Sequence, residues 1–372
     1  MWARILMYGG WVLLAVGSYA AAFAVIPAHA EIVRVVVGFA AAMVLIQLWA
    51  RLLQRPALVS MVQECRVAAP PGQVWSLLSS AEAWSLHPEF HAFDVPMPEG
   101  MPPLLATIRV HSRGVSCFAQ ELIELPCTAG QPGRSLLMRS ATRPGSPATL
   151  TMSVVREGSG TRMVVTGQQV ATLASVLDVE VAGRKVLAAW LAECAAVLSG
   201  DRASPGQEMS PDMLAALAAP LAAGDVSEAS ASVLIAVDPA RAWEVVWDPA
   251  TRLPESNTVA AGFVPGSPVG QAGEIQYQIT KSSQPDGALL LYVNYVCDME
   301  LGRMARIRLS GPAPAEVLYR IEPESDGTRL SLTCRFTDSR VRKNEEKVQA
   351  NIEKAAANYK VLLEGTNAPQ QS

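Results

Sequence analysis

The chain opens with two long apolar stretches that carry almost no charge. The first runs from Ile5 to Ile26, and the second runs from Val35 to Ala50 and is extended by its apolar flanks. A hydrocarbon core of about 30 Å is crossed by roughly 20 apolar helical residues, and a helix satisfies its own backbone hydrogen bonds inside lipid. The pattern therefore predicts a transmembrane helical hairpin over residues 1–55.

A cleaved signal peptide is the alternative interpretation of the first stretch. Arg4 precedes the apolar run, and Ala28-His29-Ala30 follows it as a small-residue cleavage motif. The run is longer than the usual core of a signal peptide, and a second apolar stretch follows at once. The uncleaved hairpin is therefore the interpretation that we favour.

Positively charged residues predict the orientation of this hairpin. Arg4 precedes the first span and Arg51 and Arg55 follow the second, whereas the turn between the spans has Arg34 beside Glu31. Positive charge favours the cytoplasmic side of a membrane. We therefore expect the inner cell membrane as the location, with two spans and the soluble domains in the cytoplasm.

Beyond residue 55, short segments of alternating polarity replace the apolar runs, and one pattern occurs twice. Residues 67–75 match residues 235–243, and residues 156–163 match residues 322–330. The distance between the matching segments exceeds the period of solenoid repeats. It indicates two copies of one domain.

Each copy has the same expected order: an opening strand, a short helix, a run of strands and a long closing helix. Alternation over residues 329–336 indicates a strand with one buried face, and an apolar stripe over 348–362 indicates an amphipathic closing helix. The fold class is therefore predicted as α+β, with two tandem domains at 56–200 and 227–366. In each, an antiparallel sheet packs on a long C-terminal helix.

The segment between the copies, residues 201–226, is rich in Pro, Gly, Ser and Ala and is predicted as a linker. It contains one expected short helix from Asp212 to Ala222, which begins after a serine that can cap it, Ser210. Residues 367–372 are predicted as a disordered tail.

Composition excludes several classes of function. The net charge of −4 and the pI near 5.7 argue against a nucleic-acid-binding protein. The six cysteines are scattered without a C-x-x-C pair, which is typical of reduced thiols in a cytoplasmic protein. The sequence has no P-loop, no dinucleotide-binding fingerprint and no nucleophile elbow, so no cofactor is predicted.

Three histidines are candidate polar groups of a binding site. His87 and His91 are four residues apart, and His111 lies on a later strand. This spacing suits a pair of metal ligands only on a continuous helix, and Pro88 interrupts such a helix, so no metal is predicted. A general base in a cavity and an ordinary surface histidine both remain open, the second being more common. No residue is assigned a catalytic role.

Four aromatic residues complete the candidate ligand-binding set. Tyr277, Tyr292 and Tyr359 bring hydroxyl groups to the second copy, and Trp190 is expected to face inward from the first closing helix. Ligand pockets combine apolar walls with a few polar groups. The competing interpretation for each residue is ordinary packing in the core.

The motifs of the repeat resemble those of a known superfamily. In the first copy these are Ala-Pro-Pro-Gly-Gln-Val-Trp at 69–75 and Trp-Ser-Leu-His-Pro at 84–88; the second copy has a divergent version at 238–249. They resemble the polyketide cyclase/dehydrase and lipid-transport superfamily, whose START-like and Bet v 1-like domains have the helix-grip fold. The resemblance implies a hydrophobic cavity between a curved sheet and the C-terminal helix. Some members cyclise or dehydrate polyketides, and many only bind a ligand.

Three hypotheses about function follow. The leading one is a membrane-anchored binding protein for a lipid, quinone or polyketide-like ligand, with the lipid bilayer and a hydrophobic small molecule as partners and no nucleic acid. The alternative is a non-catalytic structural or assembly subunit of a membrane protein complex. The third is a cyclase or dehydratase that uses one of the histidines. Nothing in the sequence requires an enzyme.

Overall fold

The structure is a computed structural model. It describes the chain except for residues 1, 27–30, 88, 112–113, 127–132, 205–207, 222–225, 253–256, 283–286, 311–313, 337–344 and 366–372. The disordered tail predicted for 367–372 lies outside the described residues.

The described residues form helices that follow the predicted order. They are α1 (Trp2–Val25), α2 (Glu31–Leu53), α3 (Pro71–Leu78), α4 (Ala81–Ser85), α5 (Val176–Ser199), α6 (Pro211–Ala218), α7 (Pro239–Trp247) and α8 (Glu345–Gly365). Two 3-10 turns, Leu173–Ser175 and Pro249–Arg252, precede α5 and follow α7.

The strands fall into two groups of seven. The first group is β1 (Pro56–Val67), β2 (Phe90–Val95), β3 (Leu104–His111), β4 (Gly114–Leu125), β5 (Gly133–Ser140), β6 (Thr149–Glu157) and β7 (Gly160–Thr172). The second group is β8 (Ser227–Ile235), β9 (Thr258–Phe263), β10 (Ile275–Lys281), β11 (Leu289–Glu300), β12 (Met304–Ser310), β13 (Ala315–Glu324) and β14 (Gly327–Phe336).

Each group forms one seven-stranded antiparallel sheet, and the two sheets have the same topology. The orders are β1-β7-β6-β5-β4-β3-β2 and β8-β14-β13-β12-β11-β10-β9, so the first strand of each copy pairs with its last. With a long helix closing each copy, this confirms the tandem α+β helix-grip fold.

One buried hydrogen bond is repeated in both copies. The hydroxyl of Thr161 donates to the carbonyl oxygen of Ala69 at 2.6 Å, and that of Thr328 donates to Val237 at 2.6 Å. Both threonines are almost completely buried. The repeated Gly-Thr-Arg segment therefore ties the last strand of each copy to the end of its first strand.

The linker helix is shorter than predicted. Ser210 caps α6 as expected, because its side chain accepts a hydrogen bond from the Met213 amide at 3.3 Å. The helix ends at Ala218 instead of the predicted Ala222. Pro220 explains this correction, since the residue before a proline is disfavoured in helical conformation.

The chain divides into two compact units, which do not coincide with the two sheets. One contains residues 1–74, 125–137 and 146–199; the other contains 75–124, 138–145 and 200–372. The predicted domain limits at 56–200 and 227–366 stay predictions.

In the first unit, α1 and α2 pack as an antiparallel hairpin. A side chain on Gly10 would overlap the indole of Trp49, and a Cβ on Gly38 would lie 3.0 Å from the ring of Tyr19. These glycines let the helices approach closely. The windows 8–25 and 35–53 are long and apolar enough to cross a membrane.

In the second unit, one apolar core lies on each face of β11, and one of the two also covers a face of β10. The inner core lies between the second sheet and the helices α7 and α8, and includes Val296, Ile307 and Tyr359. The outer core joins the other face of these strands to residues of β2, β3 and α6. There, the rings of Phe93 and Tyr277 lie 5.3 Å apart. Both faces of β10 and β11 are therefore covered by protein.

Candidate functional site

The candidate site is a buried group of polar residues on the inner face of β10 and β11. Gln276 lies directly opposite Asn294, so both side chains share one face of the sheet. Both are almost completely buried. Val296 follows Asn294 on the same face and packs in the inner core. The two amides therefore point into the domain and not toward solvent.

A buried carboxylate lies at the edge of this group. Glu274 accepts hydrogen bonds from the Gly270 amide at 2.5 Å and from Nε2 of Gln276 at 2.7 Å. The same nitrogen lies 3.4 Å from the carbonyl oxygen of Trp247 at the end of α7. Glu274 and Gln276 thus hold each other in fixed positions.

Two polar atoms of the group have no hydrogen-bond partner among the described residues. They are Oδ1 of Asn294 and Nε1 of Trp247, and both atoms are inaccessible to solvent. The indole of Trp247 stacks on Trp243 with 5.3 Å between ring centroids and 8° between the planes. Because buried polar groups are nearly always paired in folded proteins, these two atoms make the group a candidate site.

The site contains both hydrogen-bond donors and hydrogen-bond acceptors next to apolar side chains. The indole N–H of Trp247 is a donor only, whereas the Asn294 amide can donate and accept. Aromatic and aliphatic side chains of the inner core surround them. A ligand with a hydroxyl or carbonyl group on an apolar body would match this combination. Glu274 would repel an anionic group placed beside it.

An open depression lies on the outer side of α7, where that helix meets α8. It has a volume of about 380 Å³ and is lined by Arg241, Glu244, Val245, Asp248, Thr251 and Leu362. Arg241 and Glu244 form an ion pair of 3.4 Å, and the Thr251 hydroxyl donates to Val245 at 2.8 Å. The polar groups here bond to one another, so this depression is a weaker candidate than the interior group.

The predicted tyrosines are distributed over both faces of the second sheet. Tyr292 lies opposite Gln278 on the face that carries Asn294, and burial raises the pKa of its phenol. Tyr359 is buried in the inner core. Tyr277 points to the outer core, where it contacts Phe93. Trp190 is buried on α5 in the other unit. Tyr292 and Tyr359 therefore share the inner side with the polar group, and Tyr277 does not.

The three histidines do not form a cluster. His91 is buried on β2 on the same face as Phe93; burial lowers its pKa to about 4, and its Nε2 has no partner among the described residues. The ring of His87 lies 4.7 Å from that of Phe90 with 37° between the ring planes, and partial burial, opposed by the charge of Glu89, lowers the pKa of His87. His111 bonds to a serine hydroxyl at 2.8 Å. In the described part of the chain, no hydrogen bond joins any two of these histidines.

Metal binding and thiol chemistry find no support in the described residues. No group of three His, Cys, Asp or Glu side chains there has the arrangement of a metal site. Burial raises the pKa of the Cys194 thiol to about 12 and that of Cys334 to about 11. Both thiols are therefore protonated at neutral pH and are poor nucleophiles.

The sequence-based candidates did not include the central residues of this site, which are Trp247, Glu274, Gln276 and Asn294. The available signal was Asn294, a lone amide within the apolar strand Leu289–Val296. Gln276 alternates with apolar neighbours, a pattern that ordinarily indicates a solvent-facing side chain.

Comparison with solved structures finds similarity to several aromatase/cyclases at low sequence identity. StfQ, a di-domain aromatase/cyclase from the steffimycin biosynthetic pathway, is 14% identical with a TM-score of 0.31, over 82% of this chain and 98% of its own. The di-domain protein BexL is 12% identical with a TM-score of 0.32, over 85% and 99%. The Zhui aromatase/cyclase from Streptomyces sp. R1128 is 14% identical with a TM-score of 0.33, over 40% and 99%. No family model and no curated protein matches the sequence.

Proposed function

We propose that this chain is a membrane-anchored protein that binds a hydrophobic small molecule inside its second helix-grip domain. The observation that carries the proposal is the pair of unpartnered polar atoms, Oδ1 of Asn294 and Nε1 of Trp247, within the inner core. Leaving a buried polar group unpaired costs about 1–3 kcal/mol. A ligand hydroxyl can donate to Oδ1 of Asn294 or accept from Nε1 of Trp247, whereas a ligand carbonyl can only accept from Nε1 of Trp247; either bond would remove part of that cost.

The chemistry of the surroundings narrows the class of ligand. The inner core supplies apolar walls, and Tyr292 and the stacked pair Trp243 and Trp247 supply flat aromatic surface. The Glu274 carboxylate favours a neutral ligand or one that donates a hydrogen bond. A phenolic polyketide, a hydroxylated lipid or the hydroxyl-bearing reduced form of a quinone fits these requirements better than a fatty acid, whose carboxylate would lie near Glu274.

The hairpin α1–α2 would hold this domain at the membrane where such a ligand dissolves. Its two apolar windows expose most of their side chains in the isolated chain. The cationic residues Arg51 and Arg55 at the end of the second span favour the cytoplasmic side for everything that follows. Tethering raises the local concentration of the domain at the lipid surface, so a modest affinity would suffice to extract or present the ligand.

The scaffold hypothesis has one observation in its favour. The inner core is well filled by aromatic side chains, including Trp243, Phe336 and Tyr359. A domain with such a core could serve as an assembly subunit. That hypothesis leaves Asn294 and Trp247 without partners, which is why we place ligand binding first.

The test is the ligand content of the full-length protein. Wild type, Asn294→Leu and the matched control Asn351→Leu, which makes the same change on the exposed face of α8, would be purified in mild detergent. Each preparation would be extracted with solvent and analysed by mass spectrometry. We expect a stoichiometric hydrophobic compound in the wild type and control, reduced roughly tenfold in Asn294→Leu, because one lost hydrogen bond costs about 1.4 kcal/mol.

Equal content in all three preparations would contradict the proposed site. A compound absent from all three, together with a co-purifying protein, would favour the assembly subunit.

A further inference from the structure

A second surface, in the unit that contains the hairpin, exposes apolar side chains that α5 does not use for packing. Leu173, Leu177 and Val181 follow one another at intervals of four residues and are 41–65% exposed. Four-residue spacing places side chains on one side of a helix. The opposite side of α5 packs on β1, where a side chain on Gly183 would overlap the sulfur of Met61. The exposed stripe therefore has a fixed outward direction.

A second group of exposed apolar residues lies on the sheet, on the face directed away from α5. Leu58 of β1 lies directly opposite Val170 of β7, and the two are 56% and 47% exposed. Their neighbours Val59 and Ala171 face α5 and are buried. Leu58 and Val170 thus occupy the other face of the sheet, at the end where the chain leaves the hairpin.

Both parts of this surface lie at the base of the hairpin. The amide of Leu173 donates to the carbonyl oxygen of Arg55, which follows α2, at 3.0 Å. The 3-10 turn Leu173–Ser175 packs on α1 and α2, and α5 also packs on α1. Leu58 comes shortly after Leu53, the last residue of α2, so their Cα atoms lie within about 18 Å of each other. Both groups of exposed apolar residues therefore adjoin the base of the hairpin.

We infer that these residues, Leu58, Val170, Leu173, Leu177 and Val181, form a membrane-contact surface that lies in the boundary between the headgroups and acyl chains of the bilayer. The inference rests on the proposed insertion of the hairpin and goes beyond it, because it assigns a membrane contact to the helix-grip domain itself.

Charge along α5 fits the same placement. Arg184 and Lys185 are exposed one turn beyond Val181, and Arg184 forms an ion pair of 2.8 Å with Glu180 on the same helix. At about 1.5 Å per residue, they lie roughly 5–6 Å farther along the helix. Apolar residues followed by cations match the order of acyl chain and lipid headgroup at a membrane surface. We commit to the bilayer as the occupant, because the surface adjoins the hairpin and the order of apolar and charged residues is the one expected at a lipid surface.

Photo-crosslinking of the full chain in lipid nanodiscs tests the inference. A benzophenone amino acid would replace, one at a time, Leu58, Leu177, Leu13 of α1 and Val361 of α8. Leu13 is 75% exposed and reports insertion of the hairpin, whereas Val361 is 72% exposed in the other unit and is the control for exposure alone. After irradiation, mass spectrometry would identify whether each site carries lipid or protein.

We expect lipid adducts at Leu58 and Leu177 that exceed those at Val361 by roughly tenfold, because burial of a leucine side chain in apolar surroundings favours contact by at least that factor. Adducts at Leu13 but none above control at Leu58 and Leu177 would overturn the membrane-contact surface while leaving the anchor intact. Adducts to a second copy of this chain at Leu177 would also overturn it. No lipid at Leu13 would overturn the hairpin insertion and the inference with it.

Discussion

Gln276 and Asn294 lie directly opposite each other on neighbouring antiparallel strands, and neither side chain reaches solvent. Their hydrogen bonding differs completely. The amide nitrogen of Gln276 donates to Glu274 at 2.7 Å, whereas the side-chain oxygen Oδ1 of Asn294 has no hydrogen-bond partner within the described residues. The Gln276 amide therefore belongs to a hydrogen-bond network, and Oδ1 of Asn294 is a buried acceptor that this network does not satisfy.

This difference predicts that Asn294 lowers the stability of the ligand-free protein. In Asn294→Leu the side chain with the unpaired oxygen is replaced by an apolar side chain of similar size, so the free energy of unfolding should rise by about 1–3 kcal/mol. Thermal unfolding of delipidated protein, followed by circular dichroism, would measure the change. The exposed control Asn351→Leu should change stability by less than about 0.5 kcal/mol. A loss of stability in Asn294→Leu would mean that the native amide is paired after all.

The strands with one buried face were predictable from the sequence. In β14, Leu330, Leu332, Cys334 and Phe336 are buried, as their alternation with polar residues indicated. Alternation alone identifies this strand because the residues between these four are polar, so only one face of the strand is apolar.

The site was not predictable by the same rule, because both faces of β10 are covered. Ile275, Tyr277 and Ile279 alternate with Gln276 and Gln278. Alternation separates the two faces but does not say which one points to the helices. Packing of β2 and β3 on the apolar face leaves the glutamines on the inner side. That arrangement depends on contacts between distant parts of the chain, which local periodicity does not encode.

The contact between Phe93 and Tyr277 should contribute strongly to stability. Removal of the ring in Tyr277→Ala leaves a cavity in the outer core and should cost about 3–5 kcal/mol, together with the loss of an aromatic pair. Tyr277→Phe keeps the ring and should stay within about 1 kcal/mol of wild type. Chemical denaturation of the two variants would measure both values. Similar losses in both would show that the hydroxyl, and not the ring contact, carries the stabilisation.

His91 should make the fold sensitive to acid. Burial lowers its pKa to about 4, below the ordinary value of 6.5, so the unfolded chain binds its proton more readily than the folded chain. Its contribution to stability is therefore complete above pH 6.5 and is lost progressively as the pH falls toward 4, by up to about 3 kcal/mol. Unfolding experiments at pH 7.5, 5.5 and 4.5 would follow the loss.

The matched variant is His91→Leu, which cannot be protonated. It should show a smaller decrease in stability than the wild type between these pH values, with the remaining decrease due to other groups. An identical decrease in both proteins would contradict the assignment to His91.

Arg308 should fix the linker helix on the second sheet. Its guanidinium bonds to Glu316 at 2.6 Å and to the carbonyl oxygens of Ala218 and Ala219 at the end of α6, 3.0 Å from the first of these. Arg308 and Glu316 are both largely buried. Arg308→Met would leave the carboxylate of Glu316 unpaired and should cost about 3–5 kcal/mol. The double variant Arg308→Met with Glu316→Met removes both charges and should recover most of that loss.

Urea denaturation of the two variants measures the effect, and hydrogen exchange of α6 separates two explanations. If the carbonyl contacts of Arg308 hold the helix in place, amide hydrogen exchange in α6 is faster in the double variant than in the wild type, even where the free energy of unfolding returns to the wild-type value. If exchange in α6 is unchanged from wild type in both variants, Arg308 does not hold the linker helix.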